Sequence, residues 1–574
     1  MSHPPDREGT PLSDVQALRW WRHYRSADLP ADLIASITLT ALLIPQSLAY
    51  AQLAGLPPEA GLYASMLPPL IYALFGTSRL LAVGPVALAS LMTATSLAGV
   101  APGSYALLAA WLALLSGLIR VVLALLRFGF IANLLSHSVI GGFIAGSALL
   151  IVLGQVPAML GLSAGQAGGW DWLGQLARTE PATLVLSLVA LLGLLAARHG
   201  LPRLALRQGW SARTATLVNG TAPVLVIIGA GLAAWAWGDG RIATVGAVPA
   251  GLPPLGIEPV SWQTLLGLLP AALAISLVGF VDSMSVAQQL ALKRREKIEP
   301  DRELLALGLA NVAAGLSGGY PVSGSFGRSA ANGLAGARSQ IANILSAGWM
   351  VLVALGLGSL FVHLPRAVLA ATIVAAVASM FDWSVLRLAW RYDRRDAAVF
   401  VATAVAVPLL GVLDAIGAGV LLSLTLFFWR TGRPHMAVVG RVPGTEHYRN
   451  VRRHQVETVP GALAVRIDES LYFGNIRNVE HRLAVLLADA GEVHHLVLIL
   501  SAVNAIDVSA LQALDELNRS LGAQGVALHL AEVKGPVMDK LIASGFIERL
   551  QGRVHLSTHA ALQVCRGVVE DYVI

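Results

Sequence analysis

Between residues 31 and 429 the chain repeats one pattern: a long apolar run, then a short polar or basic connection. A helix rising 1.5 Å per residue needs about 20 apolar residues to cross a hydrocarbon core of roughly 30 Å, and inside that core the backbone has no water to bond. A chain built this way is restricted to a bundle of spanning helices. Runs of this kind are expected at 31–54, 59–75, 104–126, 136–160, 182–197, 213–237, 264–292, 304–318, 339–361, 365–380, 397–413 and 415–429. Composition agrees: of 574 residues 55% are hydrophobic and 13% charged, against about 25% charged in a soluble domain.

The net charge of +6 does not indicate a nucleic-acid surface, because the basic residues fall in short runs between apolar segments, as in Lys293-Arg294-Arg295-Glu296-Lys297. With the N-terminus inside, the cytoplasmic connections hold Arg79, Arg120, Arg127, Arg198, Arg203, Arg207, Arg213, the Lys293 run, Arg338, 387–395, Arg430 and Arg433. The opposite side holds only Arg178, Arg241 and Arg366, which predicts cytoplasmic N- and C-termini. The polar start at 1–14 lacks the pattern of a signal peptide, so the first span is expected to be its own insertion signal. Trp20, Trp21 and Tyr24, interleaved with Arg19, Arg22 and Arg25, read as an amphipathic collar at the membrane surface or a solvated linker helix. The single cysteine, Cys565, rules out an internal disulfide.

Two stretches break the pattern. Tyr320 to Asn332 places Arg328 and a broken backbone in an apolar chain. Pro321 and Gly324 interrupt regular structure, Ser323 or Ser325 can cap a helix, and 326–334 reads as a half-helix whose first N–H groups are unpaired. Such an end attracts anions. Residues 80–99 have the same layout, with Gly84-Pro85 as the break before a short apolar run. Paired interrupted segments in corresponding places of two halves point to an inverted-repeat transporter with its site at the membrane midplane, here about fourteen elements, near seven plus seven. Pro45 and Gln46 offer further free polar groups in the first span. Gly141 to Ser147 carries small residues at helix-contact spacing. Asp282 is a carboxylate in an apolar span, functional by default or else bonded to a nearby serine.

After Arg433 the composition becomes that of a soluble α/β domain. Strands are expected at 462–467, 494–500, 526–530 and 555–557, and helices at 475–490, 509–521, 537–544 and 560–569. The expected division is a 1–30 cytoplasmic segment, a 31–432 transmembrane domain, a 433–460 linker and a 461–574 soluble domain.

Five motifs in this order resemble the sulfate permease (SulP) family of anion transporters with a C-terminal STAS domain. They are Leu43 to Ala51 with Pro45-Gln46, Leu53 to Pro58 with Gly61-Leu62-Tyr63, Phe75 to Arg79, Val83 to Ala87, and Gly324 to Asn332. The resemblance implies a polytopic α-helical membrane protein of two inverted seven-segment repeats, uracil-permease-like, with core and gate domains and a homodimeric assembly. It places the anion between the N-termini of the third and tenth segments, beside Gln46, Tyr50, Val86, Ala87, Ser325, Phe326, Gly327 and Arg328. Many relatives have serine where this chain has Gly327, so a hydroxyl donor is missing. It also suggests that Asp282 couples uptake to H+ or to Na+ held nearby, with no cofactor and no other metal. The STAS resemblance rests on Ala505 to Leu511. The position phosphorylated in soluble relatives is Val508 here, and Ser509 is expected as a helix cap, so a regulatory or assembly role is implied without that switch.

The implied function is secondary active uptake of an inorganic anion, sulfate first, at the plasma membrane, with bicarbonate, chloride exchange and C4-dicarboxylates as alternatives on the same scaffold. No spacing suggests a metalloenzyme, a nucleophile elbow or a nucleotide-binding loop. A membrane-anchored STAS signalling protein would leave two half-helices, Arg328 and Asp282 unused. Nucleobase transport would favour carboxylates in place of Arg328.

Overall fold

The computed structural model describes residues 24–133, 137–162, 171–199, 225–234, 236, 242–246, 251–357, 362–378, 381 and 383–567. Trp20, Trp21 and most of the 213–237 span lie outside them. The chain forms two compact units that divide between Ser423 and Leu424.

In the first unit, helices α1 (Leu29–Leu53), α2 (Pro58–Tyr63) and α3 (Leu67–Phe75) precede a two-residue strand β1 (Val83–Gly84) and helix α4 (Ala87–Ser96). Then come α5 (Pro102–Leu125), α6 (His137–Met159), α7 (Pro181–His199) and α8 (Leu225–Ala234). The second half runs α9 (Trp262–Arg294), α10 (Pro300–Leu316), β2 (Ser323–Gly324), α11 (Phe326–Leu334), α12 (Ile341–Leu352), α13 (Arg366–Val377), α14 (Trp383–Tyr392), α15 (Arg394–Leu410) and α16 (Val412–Thr431). Among the described residues, with α2 and α3 counted as one segment and α14 set aside, each half has seven segments, and the third of each is a strand followed by a short helix.

Several expectations change. Among the described residues five helices are long and apolar enough to cross a membrane, and the bent pair Trp172–Arg178 with Pro181–Ala197 makes a sixth if it is one span; other apolar helices are shorter. The span expected at 59–75 is two helices, because Pro58 and Pro68 each start a helix within its first two positions, where a missing N–H costs nothing. Within 387–395, read as a loop, most residues belong to α14, whose Trp383, Leu388, Trp390 and Tyr392 are exposed. Arg120, read as a basic connection, lies inside α5 and is wholly buried.

Close helix contacts follow from small residues. A Cβ added at Gly142 would stand 2.3 Å from the Phe400 carbonyl oxygen, and one at Gly146 2.5 Å from that of Ala404. The stretch 141–147 therefore packs α6 against α15, as its spacing predicts.

The second unit contains a six-stranded sheet in the order β4-β3-β5-β6-β7-β8. Its strands are β3 (Met436–Arg441), β4 (Tyr448–Asn450), β5 (Ala462–Ile467), β6 (His495–Ile499), β7 (Ala527–Ala531) and β8 (Val554–His555). The last four are parallel. Helices α17 (Ile476–Asp489), α18 (Val508–Ala523), α19 (Gly535–Ala543), α20 (Phe546–Arg549) and α21 (Thr558–Cys565) complete it. Both faces of the sheet are covered, so its strands read as continuous apolar runs. Leu496, Leu498 and Leu528 pack with α17, α18 and α19, whereas Val497, Ile499 and Ala531 pack with Ala561 and Leu562 of α21. The stretch 433–460, expected as a linker, supplies β3 and β4, two antiparallel strands with too little alternation to announce themselves: β3 pairs with β5, and β4 pairs with β3 at the edge of the sheet. The cap of α18 is Asp507, which accepts from Ala510 N at 2.8 Å and Phe473 N at 2.9 Å; Ser509, expected in that role, lies within the helix.

Candidate substrate site at the crossing of two half-helices

The two broken stretches meet. β1 and β2 pair antiparallel, Val83 with Gly324 and Gly84 with Ser323. From this crossing start α4, of 10 residues, and α11, of 9. At 1.5 Å per residue these helices are about 14–15 Å long, about half the thickness of a hydrocarbon core.

Backbone this irregular survives in a membrane only if its polar groups are satisfied within the protein, and side chains do so here. Asn311 accepts from Val322 N and donates to Val322 O, both at 2.9 Å, as a neighbouring strand would. Ser283 Oγ accepts from Gly324 N at 2.8 Å, and Ser329 Oγ accepts from Ala82 N at 2.8 Å. Asn343 Nδ2 and Asn332 Nδ2 donate to Leu81 O and Leu80 O. The turn before β1 is held by Glu303, fully buried, which accepts from Tyr72 Oη (2.8 Å), Thr77 N and Oγ1 (both 2.6 Å) and Ser78 N (2.9 Å). Arg120 donates to Ser276 O at 3.1 Å and Ile275 O at 2.8 Å, fixing α5 to α9 behind β2.

Sequence reasoning missed Glu303 and Arg120. Glu303 follows Glu299-Pro300-Asp301 and looks like the ordinary acidic start of a helix; Arg120 looks like a basic helix end. Only an uninterrupted apolar run through 126 hinted at Arg120's burial.

Arg328 occupies the third position of α11 and is 1% exposed. Its Nη1 donates to Gln46 Oε1 at 3.1 Å and to Pro85 O at 2.8 Å, joining α11 to α1 and to the break before α4. Its Nε and Nη2 are buried with no hydrogen-bond partner among the described residues. Ser325 caps α11 by accepting from Arg328 N at 3.4 Å. The N–H groups of Ala87, Leu88, Phe326 and Gly327 belong to first turns and lack intrahelical partners. Val86 caps α4 in extended conformation with no side-chain bond. Tyr50 is buried on α1, and Tyr50 and Tyr320 both lie within electrostatic range of Arg328. Around Gly327 nothing stands within 4 Å of an added Cβ, and Phe326 is 52% exposed. All eight residues expected around a substrate thus belong to α1 or to these two helix starts. Their geometry presents two positive helix ends and one under-bonded guanidinium, a field that favours negative charge.

Asp282 lies on α9, on a largely apolar cavity whose wall includes Leu88 in the first turn of α4 with Val139, Phe143, Thr403 and Ile416. The alternative of a bond to a nearby serine is not realised. Ser283 Oγ contacts Gly279 O (2.6 Å) and Ser323 Oγ (2.7 Å), and Ser285 Oγ donates to Val281 O. The carboxylate therefore sits beside the cradle without a hydrogen-bond or ion-pair partner among the described residues.

A polytopic membrane protein with paired strand–half-helix segments and a C-terminal α/β domain belongs to the class of inverted-repeat transporters. Residues 29–403 match the Sulfate permease family and 453–561 the STAS domain. The chain is 32% identical over 581 residues to "Sulfate transporter 4.1, chloroplastic" of Arabidopsis thaliana, covering 96% of this chain and 82% of that one. It is 34% identical over 563 residues to a protein of Mycobacterium tuberculosis named as a probable sulfate transporter, covering 95% of this chain and 97% of that one. The structure of murine Solute Carrier 26 family member A9, an anion transporter, superimposes with a TM-score of 0.86 over 96% of this chain and 94% of that one, at 22% identity. The chain belongs to the sulfate permease family. It is a multi-pass membrane transporter, not an enzyme, with a C-terminal STAS domain.

Proposed function

We propose that this protein takes up sulfate by secondary active transport, holding the anion between the N-termini of α4 and α11 and exposing it alternately to the two sides. The observation that carries the reading is Arg328: a buried guanidinium with two unbonded donors, fixed by Gln46 and Pro85 beside two open helix starts. Leaving a cation so under-bonded costs stability unless a ligand completes it. Two helix ends and Arg328 suit a small, highly charged anion, and the names of the relatives favour sulfate.

Asp282 is the coupling group. A carboxylate that takes up H+ or holds Na+ beside the cradle offsets part of the anion's charge as the loaded site crosses the membrane. The protein works as a homodimer in the plasma membrane with both termini cytoplasmic, and the STAS domain acts in regulation or assembly. Removing it should change surface expression or rate, not anion selectivity. The cut belongs after Thr431, because a cut at 461 would leave β3, and β4 paired to it, without β5.

Initial uptake of labelled sulfate, bicarbonate and succinate by proteoliposomes, with imposed proton or sodium gradients, tests the proposal. Saturable, gradient-driven sulfate flux is the expected result. Flux of bicarbonate or succinate with none of sulfate would overturn the substrate assignment.

A further inference from the structure

Strand parity places three histidines of the STAS domain on one face. His529 is opposite Val497 in the β6–β7 register, and His555 is opposite Ala531. Since alternate residues of a strand share a face, His495, His529 and His555 all lie on the side of Val497 and Ala531, which α21 covers. They form a diagonal ladder. His495 Nδ1 is 3.2 Å from His529 Nε2, and His529 Nδ1 is 3.2 Å from His555 Nε2. The last turn of α21 brings Cys565 to the same place, so that one ligand atom each from His495, His529 and Cys565 lie within 4.8 Å of one another.

The geometry points to a metal site formed by His495, His529 and Cys565, of a kind that takes Zn2+. Two nitrogens each about 2.05 Å from a tetrahedral ion stand roughly 3.3 Å apart, close to the spacing observed, and a thiolate at about 2.3 Å completes three ligands. Nitrogen and sulfur donors suit a borderline-soft ion and not Mg2+ or Ca2+. The fourth position is left to water. His555 is the positioning residue: with the metal on Nε2 of His529, the proton of that ring sits on Nδ1 and is donated to His555 Nε2. The bond from Arg553 N to the same Nδ1, at 3.2 Å, is then given up. Binding exchanges the Cys565 thiol proton for the metal, so one proton is released per ion. The ion ties the C-terminal helix to the two central parallel strands.

Because Cys565 is the chain's single cysteine, thiol chemistry reports on this place alone. The test uses the full-length, tag-free protein in detergent, titrated with Co2+ and Zn2+. The expected result is one ion bound per chain, with a thiolate-to-cobalt charge-transfer band that Zn2+ abolishes, and Zn2+ slowing thiol labelling of Cys565. Cys565→Ser, which removes no buried bulk, should lose the band and weaken binding by about tenfold or more; His495→Gln, on a half-buried strand end, should abolish protection of the thiol. His555→Gln should keep the band and bind about tenfold more weakly. No band in the wild-type protein, or the same band in Cys565→Ser, would overturn the assignment and leave a ladder of hydrogen-bonded histidines only.

Discussion

Replacing Arg328 by glutamine separates the proposed electrostatic anchor of the anion from the fold. The gross attraction is large: a divalent anion about 4 Å from one guanidinium, at an effective dielectric constant of about 20, gains roughly 8 kcal/mol. Desolvation offsets most of that, and truncating one partner of a buried charged contact loses about 2–5 kcal/mol. Even the low end is a loss of about 30-fold in affinity. Stability should move the other way. Nη1 makes two bonds, to Gln46 and Pro85, while Nε and Nη2 make none. Without anion the variant therefore unfolds at the same temperature as the wild type or higher. Sulfate at 100 times its Kd stabilises the wild type by about 2.7 kcal/mol and should leave the variant unmoved. Arg328→Lys keeps the charge but not the planar fork, and falls between the two. The assays are concentration-dependent sulfate uptake in proteoliposomes and thermal unfolding in detergent with and without sulfate. If Arg328→Gln keeps uptake within ~3-fold and retains the sulfate-dependent shift, the cradle is not where the anion binds.

Three further substitutions probe the surroundings. Asp282→Asn should transport with a rate indifferent to imposed proton or sodium gradients; unchanged gradient dependence would remove Asp282 from coupling. Gly327→Ser fills open space, so it should fold normally and shift the order in which anions compete with sulfate; a competition profile identical to wild type would show that the hydroxyl does not face the substrate. Glu303→Ala orphans four donors, Tyr72 Oη, Thr77 N, Thr77 Oγ1 and Ser78 N, each costing about 1–3 kcal/mol when unsatisfied. It should give a protein that fails to survive purification, with Glu303→Gln milder; a wild-type unfolding temperature in Glu303→Ala would show that water replaces the carboxylate.

What the sequence determined by itself was whatever depends on neighbours along the chain. Apolar length marked the spans, since the bilayer sets one dimension for all of them. The Gly84-Pro85 and Pro321–Gly324 breaks marked the half-helices, since proline and glycine act on their own backbone. In the second unit, four strands and their helices followed from local periodicity, and β3 and β4 did not, being antiparallel additions defined by the strands they pair with. The motifs around Gln46 and Arg328 led to the family before any contact was known.

Tertiary structure alone decided what each polar residue is for. Arg120 and Arg328 are both buried arginines, yet the donors of one are spent on the carbonyls of Ile275, Ser276 and Val322 while Nε and Nη2 of the other have no partner among the described residues, because of which elements cross beside them. Glu303 reads as a solvated helix start until Thr77 and Ser78 are folded onto it. The histidines at 495, 529 and 555 are scattered in the chain and become one ladder only through strand register. Burial and bond count are properties of a packed neighbourhood, and residues hundreds of positions apart supply it.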